Sequence, residues 1–188
     1  QNNGYAMEAR VNAERISKQG DGSLAFRPHP GKIEECYFPE EDSVEIIAAV
    51  GPGKFISPYY DSMVAQIIVH AESREAAAAK LADYLGRVTL TGICTNIPLL
   101  REILVDEVFL AGVYDTNYLP EFLQRTDVEA LIEAIEQGSG VANSGIDLDS
   151  LRIESSEELK VLAPATAIFY STPSPSEPEY VSVGDEVS

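Results

Sequence analysis

GYAMEARVNAE, Gly4 to Glu14, is the stretch that decides the fold. Its residues alternate with a period of two. Ala6, Glu8, Arg10 and Asn12 fall on one face, and Met7, Ala9, Val11 and Ala13 on the other. One face is small and apolar; the other carries Glu8 and Arg10. On pattern alone, a lone charged pair of this kind reads as the solvated face of a strand.

Outward from this strand, residues 16–30 read as a polar loop, with QGDG (Gln19 to Gly22) as turn chemistry and Pro28 and Pro30 as breakers. Lys32 to Phe38 and Val44 to Val50 read as short apolar strands around the acidic connection PEED, Pro39 to Asp42. Gly51, Pro52 and Gly53 make another turn. PYYDSM, Pro58 to Met63, leads into the longest strand, Asp61 to Ala71, with Met63, Ala65, Ile67 and Val69 on one face. The period then changes to 3.6. Ser73 is an N-cap, Glu75 suits the positive end of a helix, and Ala77, Leu81, Tyr84, Leu85 and Val88 form its stripe. Val88 to Ile93 is extended. Asn96 reads as a second N-cap, with Pro98 in the first turn and Leu99, Leu100, Ile103 and Leu104 facing inward. Tyr118 to Leu123 is a short helix, and Asp127 caps another that Gly138 stops. The fold class is α+β: an antiparallel sheet up to about residue 71, then helices packed on it.

The organisation along the chain is read as 1–125, one domain; 126–157, a helix and a flexible acidic linker; and 158–188, the start of an all-β segment. In that last segment Leu159 to Ala163, Thr166 to Tyr170 and Tyr180 to Val183 read as strands. The opening QNNGYAM runs straight into a strand and suggests a cut fragment.

The 188 residues carry 13 Lys and Arg against 31 Asp and Glu, a net charge of −18. With no basic stripe to displace counterions, nucleic-acid binding is not expected, nor is an anionic membrane surface. No hydrophobic run approaches a membrane span. Cys36 and Cys94 lie in apolar contexts far apart, without a CxxC, and read as reduced packing residues of a cytoplasmic protein. His29 and His70 have no partner at a metal-ligand spacing, and no phosphate-loop or nucleophile-elbow pattern occurs.

GYAMEARVNAE, HPGKI (His29 to Ile33), PYYDSMVAQIIVHAESREAA (Pro58 to Ala77) and TGICTNIPLLREIL (Thr91 to Leu104), in that order and spacing, resemble the C-terminal domain of biotin carboxylase over roughly residues 4 to 124. LKVLAPATAIFYSTPSPSEPEYVSVGDEVS, Leu159 to Ser188, resembles the start of a biotin carboxyl carrier domain of the acetyl-CoA carboxylase type. Its Thr-Pro and Ser-Pro steps match the family's protruding thumb. The competing reading is a Pro-rich polyproline linker.

The resemblance implies a part of a biotin-dependent acetyl- or acyl-CoA carboxylase, a ligase that carboxylates biotin with ATP, magnesium and bicarbonate, as in fatty acid biosynthesis. It implies that Arg10 faces the carboxylation site, where a guanidinium stabilises the ureido oxyanion of biotin; the alternative is a structural ion pair with Glu8 or Glu14. Asp61 either orients Arg10 or contacts the biotin entrance, or else caps a strand or tethers a turn; Asp61 and Tyr60 are the residues expected near biotin. Glu14 reads as structural and Lys32 as solvent-facing. The family's ATP and Mg2+ site belongs to an upstream ATP-grasp region that this sequence lacks. The family's biotinylated lysine sits between two methionines, a context Lys160 does not match, so biotin is expected to be attached elsewhere and this chain to be inactive alone. The implied partners are the ATP-grasp part, the carrier domain, a carboxyltransferase subunit and a second copy of the chain.

Three departures bear on this. Arg15 replaces the usual acid after NAE, Gln66 replaces the usual lysine after PYYDSM, and PEEDSVEIIA occupies the region where relatives make a homodimer contact. Two alternatives stay open: a propionyl-CoA, pyruvate or urea carboxylase, or a non-catalytic assembly module.

Overall fold

The computed structural model describes residues 3–21 and 23–140. In chain order they form β1 (Tyr5–Asn12), β2 (Glu14–Lys18), β3 (Leu24–Pro28), β4 (Gly31–Lys32), β5 (Cys36–Tyr37), β6 (Val44–Ala48), β7 (Phe55–Ile56) and β8 (Met63–Ala71). Helix α1 (Arg74–Arg87), the short β9 (Thr89–Leu90), and helices α2 (Ile97–Leu104), α3 (Glu107–Ala111), α4 (Tyr118–Arg125) and α5 (Val128–Gly138) follow. This is the expected mixture of antiparallel sheet and helices.

The central sheet has the order β1-β8-β6, antiparallel throughout. β8 is the middle strand and the most apolar. Its inward side chains Val64, Ala65, Ile67 and Val69 are buried together with Ala9 and Val11 of β1 and with Ala13, which follows that strand. Helix α1 lies on this face and buries Ala77, Ala78, Leu81, Tyr84 and Leu85. Alanines on both sides keep the bulk between helix and sheet low. Ser73 caps the helix, its side chain accepting from Ala76 N at 3.1 Å. The fully buried Tyr84 satisfies its hydroxyl by donating to the Pro39 carbonyl at 2.8 Å.

A second cluster joins Ile16, Cys94, Leu99, Phe122, Leu131 and Ile135. Helix α5, capped by Asp127 through Ala130 N at 3.0 Å, shares this cluster although it lies past residue 125. Lys18 of β2 pairs with Glu129 of α5.

Three local expectations change. Residues 16–30 do not form a loop: β2 and β3 pair as a hairpin, closed by Gln19 N to Ser23 O at 2.8 Å and by the Asp21 carboxylate accepting from Ser23 N. Only Ile16 of this ribbon is buried, so its alternation carries almost no apolar signal. The stretch 32–38 is two short strands because the chain changes partner. β4 pairs with β7, whereas Glu34 N and Glu35 O bond Thr91 and β5 pairs with β9. At that crossing Gly92 has φ +88°, and a Cβ there would stand 2.2 Å from the Lys32 carbonyl oxygen, so only glycine fits. Third, Asn96 precedes α2 but its side chain does not cap it. The linker from residue 141 and the carrier-like strands of 158–188 lie outside the described residues.

Candidate functional site

Arg10 projects from the outer face of β1, with 55% of its side chain exposed. Across the sheet it stands in one row with Gln66 of β8 and Ile47 of β6. Its charge does not pair with Glu8 or Glu14. Glu8 accepts from the Gln66 side-chain amide at 2.7 Å, and Glu14 accepts from Asn12 Nδ2 at 3.1 Å and Ser62 Oγ at 2.9 Å. The partner of Arg10 is Asp61, at 3.6 Å from its guanidinium. Asp61 also accepts from Met63 N at 2.8 Å, which fixes the turn entering β8. It therefore both tethers a turn and faces Arg10. With Asp61 68% exposed, the ion pair contributes about 0–1 kcal/mol: it gives direction and little stability. Tyr60, on the same turn, is 79% exposed.

The backbone beneath Arg10 is held more firmly. Asn12 N donates to Asn96 Oδ1 at 2.8 Å, Asn96 Nδ2 donates to the Arg10 carbonyl at 3.1 Å, and Asn96 N donates to the Asn12 carbonyl at 3.1 Å. Ala13 N reaches Ser62 O at 2.7 Å, and His29 N reaches Ala13 O at 2.8 Å. Sequence reading missed Asn96, Asn12 and Ser62. Each acts through a partner dozens of residues away, and no local pattern marks that.

The other reactive groups are structural. His29 is buried and its Nδ1 accepts from Cys94 N at 3.0 Å, so the ring is neutral; burial, and then the charge of Arg15, push its pKa down. His70 bonds the Asn3 carbonyl at 2.8 Å. Cys36 and Cys94 are unpaired thiols, both pushed up by burial and therefore poor nucleophiles. Among the described residues no group of His, Cys, Asp or Glu side chains is placed to hold a metal ion, and no helix is long and apolar enough to cross a membrane. A groove of about 860 Å³ runs between α1, α2 and α5, but Arg10, Tyr60 and Asp61 do not line it. Arg10 lies instead on the outer face of β1, with 55% of its side chain exposed.

Residues 8–121 match the model of the biotin carboxylase C-terminal domain. The chain belongs to that family. Biotin carboxylase 1 of Bacillus subtilis is 36% identical over 119 residues, covering 63% of this chain and 25% of that protein. The rat mitochondrial pyruvate carboxylase is 34% identical over 120 residues, covering 63% of this chain and 10% of that one. Among solved structures, the biotin carboxylase domain dimer of the Hydrogenobacter thermophilus 2-oxoglutarate carboxylase, in complex with MgADP, ADP and bicarbonate, superposes with a TM-score of 0.57. It is 37% identical and covers 65% of this chain and 26% of that chain. The chain thus spans about a quarter of the biotin carboxylases it matches.

Among the described residues, this biotin carboxylase C-terminal domain carries the exposed Arg10, paired with Asp61 and bonded at its carbonyl by Asn96, and no group of side chains placed to hold a metal ion. ATP and magnesium, which the family implies, do not find a binding set in these residues.

Proposed function

We propose that this chain is part of a biotin-dependent acyl-CoA carboxylase and lends Arg10 to the carboxylation of biotin. The observation that carries the proposal is the placement of Arg10: a permanently charged guanidinium on the outer sheet face, anchored at its backbone by Asn96 and aimed by Asp61. ATP and magnesium, bound by the ATP-grasp part of the enzyme, activate bicarbonate. Biotin would supply a ureido nitrogen that gives its proton to a base outside this chain, which places negative charge on the ureido oxygen; that charge would be drawn off as the nitrogen bonds the carboxyl carbon and phosphate leaves. A fixed guanidinium lowers the barrier there without moving a proton. Tyr60 and Asp61 border the entrance to that site.

In this reading residues 1–125 are the carboxylase C-terminal domain, 126–157 a connection, and 158–188 the head of a carrier domain. The biotinylated lysine lies outside this chain, which does not turn over alone. The partners are the ATP-grasp part, the carrier domain, a carboxyltransferase subunit and a second copy, all in the cytoplasm. The thumb-like Thr-Pro and Ser-Pro steps favour acetyl-CoA or a related acyl-CoA as final acceptor. The comparable likeness to proteins named for pyruvate and 2-oxoglutarate keeps the acceptor a separate question.

The test is bicarbonate- and biotin-dependent ATP cleavage by the complete carboxylase, with Arg10→Ala in parallel. Loss of one oxyanion-stabilising donor predicts a fall in kcat of about 10²–10³-fold. Full activity in the variant would leave this domain a scaffold, the assembly-module alternative.

A further inference from the structure

At the end of β1 the ladder with β8 slips. Val11 stands opposite Ala65, but Asn12 stands opposite Met63. β1 is an edge strand of its sheet, so its other side has no strand to bond. On that side the Arg10 carbonyl and both the N–H and carbonyl of Asn12 meet one residue. Asn96 Nδ2 donates to Arg10 O at 3.1 Å, Asn96 Oδ1 accepts from Asn12 N at 2.8 Å, and Asn96 N donates to Asn12 O at 3.1 Å. A single asparagine thus stands where a neighbouring strand would. The side-chain amide carries the acceptor and the donor that the first two bonds need on two separate atoms, Oδ1 and Nδ2.

We propose that Asn96 is a positioning residue for Arg10, fixing the backbone from which the guanidinium reaches the reacting oxyanion. The inference rests on the role proposed above for Arg10. Asn96 is itself held from two sides. Its carbonyl accepts from Leu100 N at 3.0 Å in α2, and two residues earlier Cys94 N donates to His29 at 3.0 Å. The Asp61 ion pair is solvent-exposed and loose at 3.6 Å, so it cannot hold Arg10 in place alone. A displacement of about 1 Å at a reacting group costs about 10²-fold in rate. That makes the Asn96 bonds the ones that set activity.

The experiment compares Asn96→Ala, Asn96→Asp and Arg10→Ala in the complete carboxylase, following biotin-dependent ATP cleavage. Asp127→Ala, which removes the α5 cap at a distance, is the control for stability loss alone. Asn96→Ala is expected to lower kcat by about 10–100-fold with the KM for ATP nearly unchanged. Asn96→Asp keeps the acceptor for Asn12 N but loses the donor to Arg10, and should fall between wild type and alanine. Exchange of the Asn12 amide, measured in the same variants, should speed up in Asn96→Ala and stay slow in Arg10→Ala. A kcat for Asn96→Ala no lower than that of Asp127→Ala would overturn the positioning role, even with Arg10→Ala inactive. Full activity in Arg10→Ala would instead overturn the reading on which it rests. In that case Asn96→Ala would show faster amide exchange with no change in kcat.

Discussion

The two faces of the central sheet differ in what their side chains are for. The inner face, Ala9, Val11, Ala13, Ile67 and Val69, is sealed by α1 and almost wholly buried. The outer face carries Glu8 and Arg10, Gln66 and Ile68, and Glu45 and Ile47 in matched cross-strand rows, each exposed or half-buried among the described residues. With the role proposed for Arg10, the same backbone separates stability from chemistry by the alternation of a strand. A substitution on one face should change folding; on the other it should change rate and leave folding nearly alone.

The sharpest way to break that comparison is a pair of truncations. Leu81→Ala beneath the sheet removes a side chain that is fully buried between α1 and β8, and should cost about 2–5 kcal/mol of unfolding free energy. Ile47→Ala on the outer face, where Ile47 is 51% exposed, should cost within about 0.5 kcal/mol. Urea unfolding of this chain measures both. Equal losses would mean that something covers the outer face already.

A smaller effect belongs to the helical end. Asp106 is the hub of that region. It caps α3 by accepting from Val108 N and Phe109 N, both at 3.1 Å, accepts from Tyr118 Oη at 3.1 Å, and pairs with Arg125. The Arg125 guanidinium, ahead of the backbone and Tyr118 bonds, draws its carboxyl down from 3.8 to about 2. Burial, and then the hydrogen bond to Asp106, push the Tyr118 phenol well above its ordinary range. A depressed carboxyl stabilises the fold above its unfolded pKa and loses that contribution as pH falls through the folded one. The ionised Asp106 carboxylate therefore stabilises this end at neutral pH, and that contribution fades between about pH 4 and pH 2. Asp106→Asn keeps the cap but loses the charge. The stability gap to wild type should be constant above about pH 5 and close in acid. A gap independent of pH would show that the cap, and not the charge, holds this end.

How much of this could be read from the chain differs by face and by range of interaction. β1 was readable because four small apolar residues alternate strictly with polar ones, and α1 because its stripe and its Ser73 cap are local. The β2–β3 hairpin was not, since one buried isoleucine gives no period, and α3 is only five residues long, too short to show one. Arg10 and Asp61 were named from the chain, and the fold brings them to 3.6 Å of each other. Asn96 was misassigned for a physical reason. An asparagine before a helix satisfies the local rule for a cap, but the unpaired edge of β1, 84 residues earlier, offers its side-chain amide two backbone groups, Asn12 N and Arg10 O, and its main-chain N–H a third, Asn12 O.

The smallest expected effect on stability tests the outer face most directly. Asp61→Asn preserves the oxygen that accepts from Met63 N, so the turn into β8 should stay closed. It removes only the charge facing Arg10. An exposed ion pair of this length is worth about 0–1 kcal/mol and is screened by salt, so the unfolding midpoint should shift little, and wild type in molar salt should lose the same increment. Biotin carboxylation by the complete enzyme should still fall, because the guanidinium then has its backbone fixed by Asn96 but no carboxylate to aim it. A large stability loss with no kinetic effect would reverse the roles, making Asp61 a turn residue and leaving Arg10 aimed by its backbone alone.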